Sequence, residues 1–198
     1  MSYVPNPLAP NGMPKLRVEL VPSTCWQSNV RSYMSDYFWR KLSKEIAEDS
    51  GERCMVCGGR RRRHAVECHE AWYYDDQRRV QALMRLDALC PMCHAIKHLG
   101  RTLSQGNERM AIDWLAKVNG WDEPTTCAYI HAVFEQHRAR SQFEWALDLS
   151  VLGEAYGVGL DKLGLESYVV APRERKQMQH RRETRMEDVY ERDGSTAR

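Results

Sequence analysis

Two pairs of closely spaced cysteines constrain this 198-residue chain more than any other feature of its sequence. Two residues separate the cysteines within each pair, and 32 residues separate the first pair from the second. Thiolates at this spacing bind a single ion at about 2.3 Å each, so the two pairs together predict a closed, tetrahedral zinc site with a structural role. The predicted ligands are Cys54, Cys57, Cys90 and Cys93.

The residues next to the cysteines indicate how each pair is held. Gly58 follows the first pair and suits a tight knuckle turn, whereas Pro91 suits the first turn of a helix that we expect to end at Gly100. A knuckle and a helix N-terminus that each supply two ligands form a treble-clef arrangement. Two alternatives to a zinc site account for the cysteines less well. A thioredoxin-like redox motif would need a surrounding βαβ pattern, which this sequence lacks, and four unlinked cysteines would not explain the paired spacing.

Three histidines form a second candidate group. His94 and His98 are four residues apart on the predicted helix and therefore share one of its faces. Residues 65–72 are strand-like, and Glu67 and His69 share one face of that strand. If the strand packs on the helix, the three imidazoles converge on an open site for a second divalent metal, with Glu67 holding an imidazole tautomer. The alternative is that the histidines never share an ion.

Composition excludes a membrane protein. Hydrophobic residues make up 42% of the chain and charged residues 28%, and no apolar run approaches the roughly 18 residues of a membrane helix. The first 20 residues contain four prolines and no apolar core of a signal peptide. We therefore expect a cytoplasmic protein whose cysteines are reduced, catalytic or metal-bound.

Positive charge is concentrated around the cysteines. Lysine and arginine outnumber aspartate and glutamate by ten to five between residues 53 and 101, although the whole chain carries only +2. This excess is typical of a surface that binds phosphates, while a solvated loop is the alternative for the arginine run. The candidate contacts to a nucleic-acid backbone are Arg60, Arg61, Arg62, Arg63, Arg78, Arg79 and Lys97.

Composition also divides the chain into four regions. A helix over 36–49 is predicted by the capping residue Ser35 and by apolar residues at steps of three to four. Two further helices are expected after Asn107 and Asp122, and a weaker third run has mixed strand and helix spacing over 143–156. The predicted regions are an extended arm over 1–34, a zinc-binding domain with its leading helix over 35–101, a helical region over 102–172 and a charged tail or solvated helix over 173–198.

The span from Cys54 to Arg101 resembles the HNH, or ββα-metal, endonuclease family. The resemblance rests on the Cys-x-x-Cys-Gly knuckle, on Glu67-x-His69 in the first strand, and on the run over 86–94 with His98 four residues further on. It implies an α+β, mainly helical chain in which a ββα-metal core with a treble-clef zinc is joined by flanking helices and a helical C-terminal region. The implied activity is metal-dependent hydrolysis of DNA phosphodiester bonds.

Family roles transfer to these residues in two alternative alignments. In the first, which is like that of colicin nuclease domains, His69, His94 and His98 bind Mg²⁺, Mn²⁺, Ni²⁺ or Zn²⁺, Glu67 orients a ligand and Glu70 takes the place of the general base. In the second, His69 is the base and Cys68 replaces a metal-binding aspartate, although a thiolate is a poor ligand for Mg²⁺. We prefer the first alignment for the metal and keep His69 as a candidate base.

The family's middle asparagine falls at Arg85, whose planar guanidinium suits bidentate contact with the scissile phosphate.

Two hypotheses of function follow. The first is a metal-dependent endonuclease that acts on DNA. The second is a zinc-stabilised module for binding nucleic acid or protein that has weak or no activity, and a different metalloenzyme is a third class. Residues 102–172 and the tail are candidates either for binding a partner protein or for positioning DNA.

Overall fold

The computed structural model describes residues 14–26, 29–60, 65–178 and 180. In these ranges the chain has the predicted α+β class, with a four-stranded mixed sheet and helices that pack on it and on one another. Residues 172–178 are also helical. Two short 3-10 helices, Ser23–Cys25 and Val30–Tyr33, interrupt the arm that is expected to be extended. The elements that follow are α1 (Asp36–Asp49), β1 (Glu67–Asp75), β2 (Val80–Leu89), α2 (Pro91–Lys97), α3 (Leu99–Ser104), α4 (Glu108–Asn119), α5 (Glu123–Arg140), β3 (Ala146–Asp148), α6 (Ser150–Tyr156), α7 (Leu160–Leu163) and β4 (Val169–Val170).

The sheet is built around an antiparallel hairpin of β1 and β2. Glu67 pairs with Leu89 at its open end, and the register shifts between Ala71 and Trp72. The short strand β3 pairs with β2 in parallel, and β4 pairs with β3 in antiparallel orientation. The strand order is therefore β1-β2-β3-β4, which leaves β1 at one edge of the sheet.

The leading helix forms where its sequence predicts it. The side chain of Ser35 accepts a hydrogen bond from the Phe38 N–H at 3.4 Å and caps α1, and Leu42 and Ile46 are buried on one face. These residues join a core cluster that includes Trp72, Trp145 and the inner side chains of the sheet. This helix therefore packs against the hairpin and orients it.

A second core cluster lies among α2, α3, α4 and α5. It contains Ile96, Leu99, Leu115 and Tyr129 together with three cysteines of the predicted zinc site. Leu16 joins it from the N-terminal region and is completely buried. The cysteine site is thus part of a packed core.

Residues 14–20 are held in place by hydrogen bonds between their backbone and distant residues. The Leu16 N–H donates to Asn119 Oδ1 at 2.9 Å, and Asn119 Nδ2 donates to the Leu16 carbonyl at 3.0 Å. The Val18 N–H donates to the hydroxyl of Tyr129 at 3.1 Å, and the Glu19 N–H donates to the Lys97 carbonyl at 3.2 Å. Residues 16–19 of the predicted arm are therefore docked on α2, α4 and α5, and residues 1–13 lie outside the described chain.

Two predicted helix boundaries need correction. The helix that begins at Pro91 ends at Lys97, because His98 leaves the helical region at φ −98° and ψ 45°, and α3 continues from Leu99. The run over 143–156 is not one helix, since residues 146–148 form β3 before α6 begins. The apolar spacing in this run is mixed because a strand is followed by a helix.

The helices predicted after Asn107 and Asp122 are confirmed. The first ends at Gly120, whose left-handed φ of 69° favours glycine. Asp122 caps the second by accepting a hydrogen bond from the Thr125 N–H at 2.8 Å. No helix in the described ranges is long and apolar enough to cross a membrane.

The start of the predicted tail packs into the fold. Arg175 is 2% exposed and donates to Gln81 Oε1 at 2.6 Å and to the carbonyls of Trp145 and Cys25 at 3.3 Å each. Residues 172–178 are thus not a fully solvated helix. Residue 179 and the chain beyond 180 lie outside the described residues.

Candidate metal centres

The structure brings the four predicted zinc ligands together. All four sulfur atoms lie within 4.8 Å of one another, and the Cys57 and Cys90 sulfurs are 3.7 Å apart. Cys54, Cys90 and Cys93 are buried. This arrangement is compatible with a zinc ion held by four thiolates.

The two cysteine pairs come from the two kinds of element that the sequence predicts. In the first pair, the Gly58 N–H donates to the Cys54 carbonyl at 2.8 Å, and Gly58 itself has a φ of 70° that favours glycine. The Met55 N–H donates to the Ala88 carbonyl at 2.9 Å and joins this turn to the hairpin. In the second pair, Cys90 immediately precedes α2, with Pro91 in its first turn.

Neighbouring groups influence the ionisation of the thiols. A hydrogen bond with Cys93 lowers the pKa of Cys54 to about 4, while the same interaction raises the pKa of Cys93. Trp114 Nε1 donates to Cys93 Sγ at 3.3 Å. The donor chemistry fits a structural zinc, because four thiolates close the coordination sphere and leave no open position.

The three predicted histidines also converge. The ring centroids of His69 and His94 are 5.3 Å apart, those of His69 and His98 are 5.1 Å apart, and those of His94 and His98 are 4.7 Å apart. One ligand nitrogen from each ring lies within 4.8 Å of the others, and the Nε2 atoms of His94 and His98 are separated by 3.1 Å. Three imidazoles at these distances can share one divalent ion.

Glu67 contacts the histidine cluster through His94, and not through His69, with which it is expected to share a strand face. Its Oε2 atom lies 2.7 Å from His94 Nδ1, and the carboxylate is half exposed. A hydrogen bond at Nδ1 leaves Nε2 of His94, which faces His98, as the free ligand atom. Glu67 is therefore placed to fix the tautomer of His94.

A carboxylate that the sequence analysis missed holds His69. Glu19 Oε2 lies 3.1 Å from His69 Nε2, and Glu19 Oε1 accepts a hydrogen bond from Lys97 Nζ at 2.5 Å. Burial alone raises the pKa of Glu19, but Lys97 and His69 more than offset it and hold this pKa well below its usual range. No local pattern marks Glu19, because 50 residues separate it from His69.

The surroundings of His94 and His98 favour the neutral form of both imidazoles. Burial, together with the neighbouring His69, lowers the pKa of His94 and brings the pKa of His98 to about 4. The neutral form is the one that binds metals. The donor set of the cluster therefore fits a divalent cation.

A cleft of about 690 Å³ opens beside the histidines. Five successive residues over 66–70 line it, although alternate side chains of a strand point to opposite faces. Because β1 is an edge strand, this pattern places the cleft along the free edge of the sheet. A bound ion at the histidines would therefore be accessible to a ligand in the cleft.

Two further residues of the first strand line this cleft. Burial raises the pKa of Glu70 to about 7, and the Arg31 N–H donates to its Oε1 atom at 3.4 Å. Burial also raises the pKa of Cys68 to about 11, so this thiol stays protonated at neutral pH. Among the described residues, Cys68 does not belong to the histidine cluster.

Arg85 is engaged within the protein. Its Nε and Nη2 atoms donate to the two carboxylate oxygens of Asp87 at 2.6 and 3.2 Å. Asp87 is 1% exposed and pairs with His69 across the hairpin, whereas Arg85 does not line the cleft. The donor pair expected to contact a phosphate therefore binds a buried carboxylate instead.

Among the described residues, the predicted phosphate contacts do not form one surface beside the histidines. Arg78 and Arg79 lie in the hairpin turn, and six residues of β1, roughly 20 Å, separate His69 from the end of that strand. The guanidinium of Arg79 stacks 3.5 Å above the ring of Phe143. Lys97 is 3% exposed and pairs with Glu19, so burial removes it from the predicted surface contacts.

Arg60 is the only residue of the arginine run that falls within the described ranges. It is exposed and forms an ion pair with Glu52 at 2.7 Å. Arg61, Arg62 and Arg63 lie outside the described residues, as does His64. The prediction that this run binds phosphates therefore stays a prediction.

Comparisons with protein-family models, with curated proteins and with solved structures find no significant match to this chain. The resemblance to HNH endonucleases thus rests on the motif residues themselves.

Proposed function

We propose that this protein is a metal-dependent endonuclease of the HNH type that hydrolyses DNA phosphodiester bonds. The observation that carries the proposal is the convergence of His69, His94 and His98 beside an open cleft. Three protein ligands with an open position are typical of catalytic metal sites, whereas the four-thiolate site is closed. The order of hairpin and helix, β1-β2-α2, is the order that the resemblance implies.

The donor set narrows the choice of ion. Imidazole nitrogens suit zinc and nickel, whereas Mg²⁺ prefers oxygen ligands. We therefore expect Zn²⁺ or Ni²⁺ to bind the histidine cluster more tightly than Mg²⁺. When bound, such an ion polarises the phosphate and stabilises the leaving oxygen.

The protein's own side chains support this chemistry by orienting the ligands. Glu67 holds His94 at Nδ1, and Glu19, itself held by Lys97, contacts His69. Glu70 borders the same cleft and keeps the role of proton acceptor that the resemblance gives it. His69 is buried, and the ring of His98 packs against the rings of His69 and His94.

A plasmid-nicking assay tests the proposal. The full-length, zinc-loaded protein is assayed with added Mg²⁺, Mn²⁺, Ni²⁺ or Zn²⁺, and the variants His69→Ala and His94→Ala are compared with it. We expect each variant to lose at least about 100-fold in nicking rate, because each removes one of three ligands. The matched control is His131→Ala, since His131 is an exposed histidine on α5 that lies outside the cluster.

Equal nicking by the wild type and both ligand variants would rule out this site as the source of activity. The alternative function is a binding module on the same scaffold, which the engagement of Arg85 by Asp87 favours. That alternative predicts weak or no nicking with any of the four ions, while the protein still binds nucleic acid or a partner protein.

A further inference from the structure

The cleft extends beyond the histidines into a part that the proposed chemistry does not use. Tryptophan and arginine side chains line this part, which we call the indole end, and they come from the segment before α1, from α1 and from β1. Its defining residues are Trp26, Trp39, Trp72, Arg31 and Arg40. We propose that the indole end binds an unpaired nucleotide of a nucleic-acid strand, an inference that rests on the proposed function and names its substrate class.

The first support is an exposed but anchored indole. Trp26 is 61% exposed, yet its Nε1 atom donates to the Val21 carbonyl at 3.1 Å, which restricts the orientation of the ring. Trp72 is 8% exposed and Trp39 is partly buried, and both border the same cleft. Aromatic side chains in a cleft are stacking surfaces for bases that have left the helical stack.

The second support is the charge beside these rings. Arg40 is exposed and forms no ion pair with any residue in the described part of the chain. The ion pair of Arg31 with Asp36, at 3.5 Å, joins two side chains that are both more than half exposed, so solvent weakens it. Both guanidinium groups are therefore available to contact the phosphates of a strand.

The carboxylates of the cleft are already engaged. Glu67 contacts His94, Glu19 contacts His69 and Lys97, and Glu70 accepts from the Arg31 N–H. Arg31 and Arg40, which are both exposed, are the cationic groups at the indole end that the phosphates of a strand can reach.

The size of the cleft is that of a small-ligand site. Its volume of about 690 Å³ lies within the range of roughly 300–1,000 Å³ that is typical of small-ligand sites. A base inside a duplex cannot present its face to an indole unless it leaves the stack. A single-stranded segment, an end or a flipped nucleotide can do so, and the three histidines line the same cleft.

Fluorescence anisotropy with labelled oligonucleotides tests this inference on the full, zinc-loaded chain. The probes are a DNA strand of about 12 nucleotides, the same sequence as RNA and as a blunt DNA duplex, all with slowly hydrolysed phosphorothioate linkages. Salt is fixed at about 150 mM, because phosphate contacts depend on it steeply. We expect the single strands to bind at least about fivefold more tightly than the duplex, and comparison of the DNA and RNA strands shows which sugar is preferred.

The variants assign the preference to the indole end. Trp26→Ala should weaken single-strand binding about tenfold and duplex binding little, while Trp26→Phe, which keeps a ring, should retain most of the affinity. The matched control is Tyr37→Ala, because Tyr37 is 72% exposed but does not line the cleft. A circular dichroism spectrum shows that each variant is folded.

The failure of this inference is distinguishable from the failure of the proposed nuclease. Equal or tighter binding of the duplex, or unchanged single-strand affinity in folded Trp26→Ala, would overturn the inference even if plasmids are nicked. A single-strand preference that depends on Trp26 supports it even if no nicking is found, and then only the nuclease activity is rejected.

Discussion

At the scale of single residues, buried charges around the hairpin each have a specific partner. Asp87 is bound by Arg85, and the buried Glu19 bridges His69 and Lys97. A buried charge costs free energy unless it is paired and hydrogen-bonded, so these contacts are required by the fold itself. Two of the predicted functional residues, Arg85 and Lys97, are thereby explained as partners of buried carboxylates.

Arg85→Ala tests the structural role of that arginine. Removing its guanidinium leaves the carboxylate of Asp87 buried without this partner, so we expect a loss of about 1–3 kcal/mol in the free energy of unfolding, measured by urea denaturation. Arg78→Ala, in the exposed hairpin turn, is the control and should change stability by less than about 0.5 kcal/mol. If Arg85→Ala is as stable as the wild type but nicks plasmids more slowly, Arg85 contacts the phosphate and its structural role is rejected.

The zinc ligands also allow a single-residue test. We expect Cys54→Ser to lose both zinc and soluble protein, because zinc binding in small structural sites contributes about 10–16 kcal/mol, as much as the whole stability of a typical domain. Elemental analysis of the soluble fraction measures this loss. The control is Cys127→Ser, which alters an exposed cysteine outside the cluster, and zinc-free wild-type protein that is soluble and folded would contradict the prediction.

At the scale of elements, the structure follows the sequence at several positions where a short pattern specifies a contact. Ser35 and Asp122 cap α1 and α5, and the spacing of His94 and His98 places them together. The contacts that the sequence does not reveal join distant segments. The pairing of β3 with β2 and the approach of Glu19 to His69 have no local pattern, because only the folded chain brings these segments together.

The N-terminal segment over 14–20 is an element whose position depends on few contacts. Asn119 binds both the N–H and the carbonyl of Leu16 and thereby acts as a neighbouring strand would. We expect Asn119→Ala to cost about 1–2 kcal/mol of stability and to speed amide hydrogen exchange over residues 14–20. Unchanged exchange there would show that burial of Leu16, rather than Asn119, holds the segment.

At the scale of the whole molecule, one short helix links both candidate metal centres. Cys90 and Cys93 lie at the start of α2, whereas His94 lies within it and His98 directly follows it. The thiolate site is packed into the core between α2 and α4, while the histidines face the cleft at the edge of the sheet. A structural ion in the first site would therefore fix the position of the ligands in the second.

The count of bound metal ions tests most directly whether the histidine cluster is a metal centre separate from the four cysteines. Wild-type protein and the double variant His69→Ala/His94→Ala are brought to equilibrium by dialysis at defined free Zn²⁺, and bound zinc is measured by elemental analysis with folding checked by circular dichroism. We expect two ions per chain in the wild type and one in the folded double variant. One ion per chain in both proteins would contradict a metal centre at the histidines.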